Sequence, residues 1–318
     1  MLRPDIGLPR FSGGPLVPVA TYLLVIVVLS GLMTISPGAS PPPVLGMIWG
    51  VFLVALTAGA LRIETVSLRS LLPPVRTLVP VIEVVTAFWG LYNLVAVALA
   101  MGGISGFEVS LSRTAAHPLL YLAALFSSLL FTAIPEELLF RTYLQQKVTR
   151  LAGGTTRRAV LSGIALVAVL FALFHLPRWF LASGHGVSSA LAARLFGLTL
   201  MGLAYGSVYA LTGNLWLVAL FHASMNHPPV IVSVSIPSEL HLVVSVLEYT
   251  VMVSLVYLTV RLSRRLTPYR VTAGDICLDR EVGRVGGSGL AAYVLPVCRC
   301  GAAPDCSASS CLWVVHYS

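Results

Sequence analysis

Apolar residues run along this chain in long unbroken blocks, without the strict alternation of a half-buried strand or the one-faced spacing of a helix on a soluble domain. The blocks fall at 16–35, 44–61, 78–102, 118–150, 158–177, 192–212, 215–235 and 240–262, and the breaks between them carry Pro, Gly or charge. A helix rises about 1.5 Å per residue, so a block of this kind reaches across the roughly 30 Å hydrocarbon core of a bilayer. The pattern predicts an all-α fold, a polytopic membrane helical bundle of about eight transmembrane helices. The first block follows Arg3 and Arg10 as a signal peptide would. Its length exceeds the 7–15 apolar residues of a signal core, which favours an uncleaved first span over cleavage after Gly38-Ala39-Ser40.

Composition agrees, with 57% of the 318 residues hydrophobic and 10% charged. A soluble domain carries about 25% charged residues. The net charge of +8 suggests nucleic acid at first sight, but the Lys and Arg residues stand singly or in pairs between apolar blocks, as membrane flanks do. The bilayer is therefore the expected environment and nucleic acid is not an expected partner. With alternate breaks assigned to alternate sides, Arg3, Arg10, Arg62, Arg69, Arg76, Lys147, Arg150, Arg157, Arg158, Arg261, Arg264, Arg265 and Arg270 share one side. The other receives Arg113, Arg178 and Arg194, a bias of thirteen to three. Cytoplasmic loops carry the excess, so a multi-pass protein of the cell membrane with both termini cytoplasmic is expected.

After the last block hydropathy falls. Residues 1–262 read as the membrane-embedded domain and 263–318 as a cytoplasmic tail, expected to be disordered. All five cysteines (Cys277, Cys298, Cys300, Cys306, Cys311) lie in that tail. Together with His316 they are numerous enough for zinc, yet their spacing forms no paired Cys-x2-Cys knuckle, and a reduced tail is the preferred reading.

One block contains two adjacent acids, Glu136 and Glu137. A charge at membrane depth costs about 2.5–3.5 kcal/mol on insertion scales, so such residues point to function. Arg141 lies four residues after Glu137, on the same helical face, and Glu136 projects about 100° away. Arg141 can therefore neutralise Glu137 and leave Glu136 facing a cavity as a general base. The fifth block offers His175, with Phe171 one turn before it to shield it from lipid. The seventh offers His222 and Asn226, whose four-residue spacing lets both donate to one point, as an oxyanion hole does. The competing reading is that Asn226 and His227 only satisfy backbone groups freed by Pro228 and Pro229. Counting helical rise gives about 20 Å from Glu136 to Arg150 and about 27 Å from Arg157 to His175, a mismatch within helix tilt, and about 10 Å from Leu215 to His222, which places the site in the half nearer the arginine-rich side.

Several other chemistries lack their residues. There is no His-Glu-x-x-His, every aspartate (Asp5, Asp275, Asp279, Asp305) lies outside the apolar blocks, and so do the serines in a Gly-x-Ser-Gly setting, Ser105 and Ser288. A glutamate mechanism and a zinc ion held by Glu136, His175 and His222 both remain open on residue types alone. So do a proton-coupled transporter and a non-catalytic membrane scaffold or immunity protein built on the same polar cluster.

Glu-Glu-x-x-x-Arg at 136–141, Phe-x-x-x-His at 171–175 and His-x-x-x-Asn at 222–226, on three helices of a polytopic protein, resemble the CPBP family. This family groups type II CAAX prenyl endopeptidases with bacterial Abi and bacteriocin-processing relatives. The resemblance implies an intramembrane glutamic endopeptidase acting on a membrane-associated or lipid-modified protein or peptide, including prenylated CAAX-type substrates. It implies that Glu136 and His175 activate a water, that His222 and Asn226 hold the oxyanion, and that Glu137 and Arg141 support them. It favours chemistry without a metal cofactor.

Overall fold

The computed structural model describes residues 8–35, 43–154, 156–237 and 240–263, with two short strands beyond them. The chain falls into two units, Met1–Pro268 and Tyr269–Ser318. In the second, β3 (Val294–Val297) pairs antiparallel with β4 (Leu312–Val315). The rest of the expected disordered tail, including all five cysteines and His316, lies outside the described residues.

Eight principal helices build the first unit. They are α1 (Leu16–Ile35), α2 (Pro43–Ile63), α3 (Leu78–Met101), α4 (Pro118–Leu151), α5 (Arg157–Leu173), α6 (Ser189–Thr212), α7 (Leu215–Asn226) and α8 (His241–Ser263). Among the described residues seven helical stretches are long and apolar enough to cross a membrane, and the chain is a multi-pass helical membrane protein. The block expected at 215–235 is the exception. Its helix stops at Asn226, because Pro228 and Pro229 bring no N–H to continue the ladder and clash with the preceding turn. The chain continues instead as β2 (Val232–Val234), which pairs antiparallel with β1 (Phe107–Leu111) from the break between α3 and α4.

That pairing shows that α7 and the extended segment after it together reach the end of the bundle where α3 ends. Contacts at the opposite end complete the alternation. Ser12 N–H donates to the Glu64 carbonyl at 3.1 Å, Trp216 Nε1 at the start of α7 donates to the Pro73 carbonyl at 2.9 Å, and Lys147 meets Glu64 at 2.8 Å. The start of α1 and the breaks after α2, α4 and α6 thus gather at one end and the breaks after α3 and α7 at the other.

Close helix approaches depend on small residues. A Cβ added at Gly202 of α6 would stand 2.8 Å from Ala168 Cα of α5, and one at Gly206 would stand 2.9 Å from Gln145 Oε1 of α4. Small residues let backbones meet in this way where lipid supplies no hydrophobic drive. The turn from α6 to α7 is closed by Gly213, whose φ of 63° is left-handed. Asn214 then caps α7, accepting from the N–H groups of Trp216 and Leu217.

Candidate active site

The centre of α4 is not a regular α-helix. Leu129–Ala133 and Leu138–Gln145 are π-helical, and only Ile134–Glu137 between them keeps α-helical pairing. Pro135 contributes, since it removes the N–H that would have met the Phe131 carbonyl one turn earlier. That carbonyl packs instead against Gly50 of α2, where an added Cβ would come within 2.5 Å of it. Wide turns of this kind cluster at functional sites because they re-aim side chains. Here they flank the two glutamates.

Glu137 and Arg141 pair as expected, with Arg141 Nε donating to Glu137 Oε2 at 3.0 Å and both side chains fully buried. The pair does more than cancel charge. The second oxygen, Glu137 Oε1, lies 2.7 Å from His222 Nδ1 of α7, so the carboxylate orients the imidazole as well. His222 Nε2 is then left 3.9 Å from Glu136 Oε2. That separation exceeds a direct hydrogen bond and is short enough for one water to bridge.

His175 is half-buried beyond the last turn of α5. Its Nδ1–H donates to the Phe171 carbonyl at 2.9 Å, which leaves Nε2 as the nitrogen available for chemistry. Phe171 touches both histidines edge-on, with ring centroids 5.0 Å from His175 and 6.1 Å from His222, and its face carries the Arg141 guanidinium at 5.3 Å. One aromatic ring thus spaces the basic, acidic and imidazole groups apart.

Asn226 ends α7 and donates from Nδ2 to Ser128 Oγ at 3.3 Å, which leaves its second amide hydrogen for another acceptor. The backbone beyond Pro228 and Pro229 is satisfied by another residue. Asn93 of α3 accepts from Ile231 N–H at 2.7 Å and donates to the Pro229 carbonyl at 2.9 Å. Asn226 is therefore not consumed in that role.

Glu136, His175, His222 and Asn226 line one groove of about 1430 Å³. No hydrogen bond joins Glu136 to His175 among the described residues; the two share the groove wall. The groove also shows groups that the sequence reading missed. Ser128 and Thr132 precede Glu136 by eight and four residues and line the same groove, a spacing that a helical wheel drawn on Glu136 would have revealed. Tyr205 of α6, fully buried with its ring centroid 5.4 Å from that of His222, had no sequence signal. For zinc the fit is poor. Among the described residues no three His, Cys, Asp or Glu side chains converge to hold a metal ion, the set Glu136, His175 and His222 included.

The depth of the site differs from the expectation. Glu136 lies fifteen residues before Leu151 and His175 eighteen after Arg157, about 22 and 27 Å of helix from the arginine-rich end. Thr212, Asn214 and Leu215 at the entry to α7 are all fully buried.

Residues 118–227, which hold every one of these motifs, match the family described as type II CAAX prenyl endopeptidase Rce1-like. Neither a curated protein nor a solved structure matches the chain.

Proposed function

We propose, from the match of residues 118–227 to the Rce1-like type II CAAX prenyl endopeptidase family, that this multi-pass membrane protein belongs to the CPBP group and hydrolyses a peptide bond by a glutamate mechanism. The match supports a CAAX-type intramembrane protease in general terms, acting on a membrane-associated polypeptide in a lipid environment. The residue roles, the lipid modification of the substrate and the absence of a metal are our reading.

The observation that carries it is the division of labour between the adjacent acids. Glu137 has both oxygens engaged, by Arg141 and His222, whereas Glu136 faces the groove. In this mechanism Glu136, with His175 beside it, accepts a proton from a water whose oxygen attacks the scissile carbonyl carbon. The carbonyl oxygen becomes an oxyanion, held by the free amide hydrogen of Asn226 and by His222. As an imidazolium with Nδ1–H on Glu137, His222 presents Nε2–H to that oxygen. Collapse breaks the C–N bond, and Glu136 returns the proton to the departing amine. The products are a carboxylic acid and an amine, which exchange the acid's proton to leave as carboxylate and ammonium.

Purified Glu136→Ala and His175→Ala variants, compared with the parent on a responsive substrate, test the assignment. Loss of cleavage in both supports it, and cleavage at the parental rate in either overturns that residue's role. A transporter would instead show solute or proton flux across proteoliposomes that depends on Glu136, with no peptide cut.

A further inference from the structure

Both ends of the chain of contacts from Arg141 through Glu137 to His222 rest against one turn of α6. Among the described residues Arg141 makes a single side-chain hydrogen bond, from Nε to Glu137, and neither terminal nitrogen has a partner. A guanidinium held by one bond is fixed by what it packs against. One such contact is the Phe171 face at 5.3 Å. Another is Gly206, where an added Cβ would stand 3.6 Å from Arg141 Nη1 and 2.9 Å from Gln145 Oε1. Gln145 closes the π-helical stretch of α4, four residues after Arg141, and its Nε2 donates to the Gly206 carbonyl at 3.0 Å. Its amide oxygen has no partner among the described residues, so that one bond sets where the buried side chain lies. The residue before Gly206 reaches the other end of the chain of contacts. Tyr205 places its ring centroid 5.4 Å from that of His222 with the planes tilted by 33°, close to an offset-stacked pair.

Resting on the peptidase reading above, we propose that Gln145, Tyr205 and Gly206 are positioning residues, which hold Arg141, Glu137 and His222 from both ends and so aim His222 Nε2 at the oxyanion. Tyr205 fixes the plane of the imidazole. Gly206, by lacking a Cβ, lets the Gln145 amide and the Arg141 guanidinium lie against α6. None of the three is among the residues that line the groove, so they act through His222 and Glu137 rather than on the reacting atoms. The Tyr205 hydroxyl has no hydrogen-bond partner among the described residues, which assigns its part to the ring. A neighbouring tie between the same two helices supplies the control. Gln146 Nε2 donates to the Tyr209 hydroxyl, one turn further along α6 than Gly206, and it too is buried. A role in packing α4 on α6 belongs equally to both glutamines; a role in aiming His222 belongs to Gln145.

The test compares kcat and KM of purified, folded full-length variants on a fluorogenic peptide spanning a cut site mapped in cells. Gly206→Ala asks only side-chain ends, those of Gln145 and Ile164, to give way, so the variant is expected to fold. Gly206→Ala, Gln145→Met and Tyr205→Leu should each lower kcat about 10- to 10²-fold with KM little changed. Tyr205→Phe, which keeps the ring, and Gln146→Met should stay near the parent. Equal kcat in Gln145→Met and Gln146→Met, parental kcat in Tyr205→Leu, or equal losses in Tyr205→Phe and Tyr205→Leu overturns the proposal. A second readout needs no substrate. In protein carrying isotopically labelled histidine, the ring-nitrogen NMR signals of His222 are assigned by their loss in His222→Gln. They are expected to move in Gln145→Met and Gly206→Ala and to stay in Gln146→Met; the same spectrum in all three overturns the proposal. Failure of the peptidase reading would show instead as cleavage that does not depend on Glu136, with the His222 signals moving as expected.

Discussion

Two buried ion pairs sit on the same helix, α4, and they behave differently. Near the arginine-rich end, Lys147 meets Glu64 of α2 at 2.8 Å with both side chains all but inaccessible. Nearer the middle, Arg141 meets Glu137 at 3.0 Å with both fully buried. The Lys147 pair is closed by neighbours. Glu64 accepts from Gly13 N–H at 2.7 Å and lies near the Tyr143 hydroxyl, and the ammonium donates to the Gly13 carbonyl and stands 5.2 Å over the Phe11 ring. It fastens the segment before α1 to α2 and α4. The Arg141 pair hands one carboxylate oxygen on to a histidine that lines the groove, and both terminal guanidinium nitrogens have no hydrogen-bond partner among the described residues. Burial and charge pairing alone therefore do not mark a functional site. What distinguishes the second pair is its bond to a histidine that lines the groove.

The largest effect that would break this comparison is catalytic. Glu136→Gln keeps shape and removes the base, and hydrolysis is expected to fall about 10²- to 10⁴-fold with the folded yield unchanged, read as kcat on purified protein. A comparable loss in Lys147→Met would erase the distinction. Lys147→Met is expected instead to act on stability, lowering it by about 3–5 kcal/mol through the buried Glu64 left without its partner. Thermal unfolding in detergent measures this, and the double variant Glu64→Met with Lys147→Met should regain most of the loss.

Smaller changes sharpen the account within the site. Asn226→Ala removes one oxyanion donor and should reduce kcat about 10²- to 10³-fold with little change in KM. Glu137→Gln keeps a hydrogen-bonding group but weakens the orientation of His222, and a fall in kcat of about 10²-fold at similar KM is expected. An unchanged kcat in that variant would return Glu137 to the purely structural class of Glu64.

Much of this was legible in the sequence because the signals were local. Eight helices followed from apolar blocks, and the Glu137–Arg141 pair from a four-residue spacing. The shortened α7 was legible in Pro228 and Pro229, but the apolar residues beyond them masked the break. What stayed hidden depends on packing between distant segments. The contact between Glu137 and His222 crosses 85 positions, and the Glu64–Lys147 pair crosses 83. Lys147 was counted with the loop charges, since nothing near it in the chain announces its partner.

The central claim is that Glu136 carries the proton for peptide hydrolysis. The most direct measurement compares the termini of membrane and exported polypeptides from cells making the parent or Glu136→Gln at equal levels. The account predicts at least one polypeptide whose new terminus is present with the parent and absent with Glu136→Gln. Identical termini in the two samples, with a substrate still cut by the variant, would contradict it.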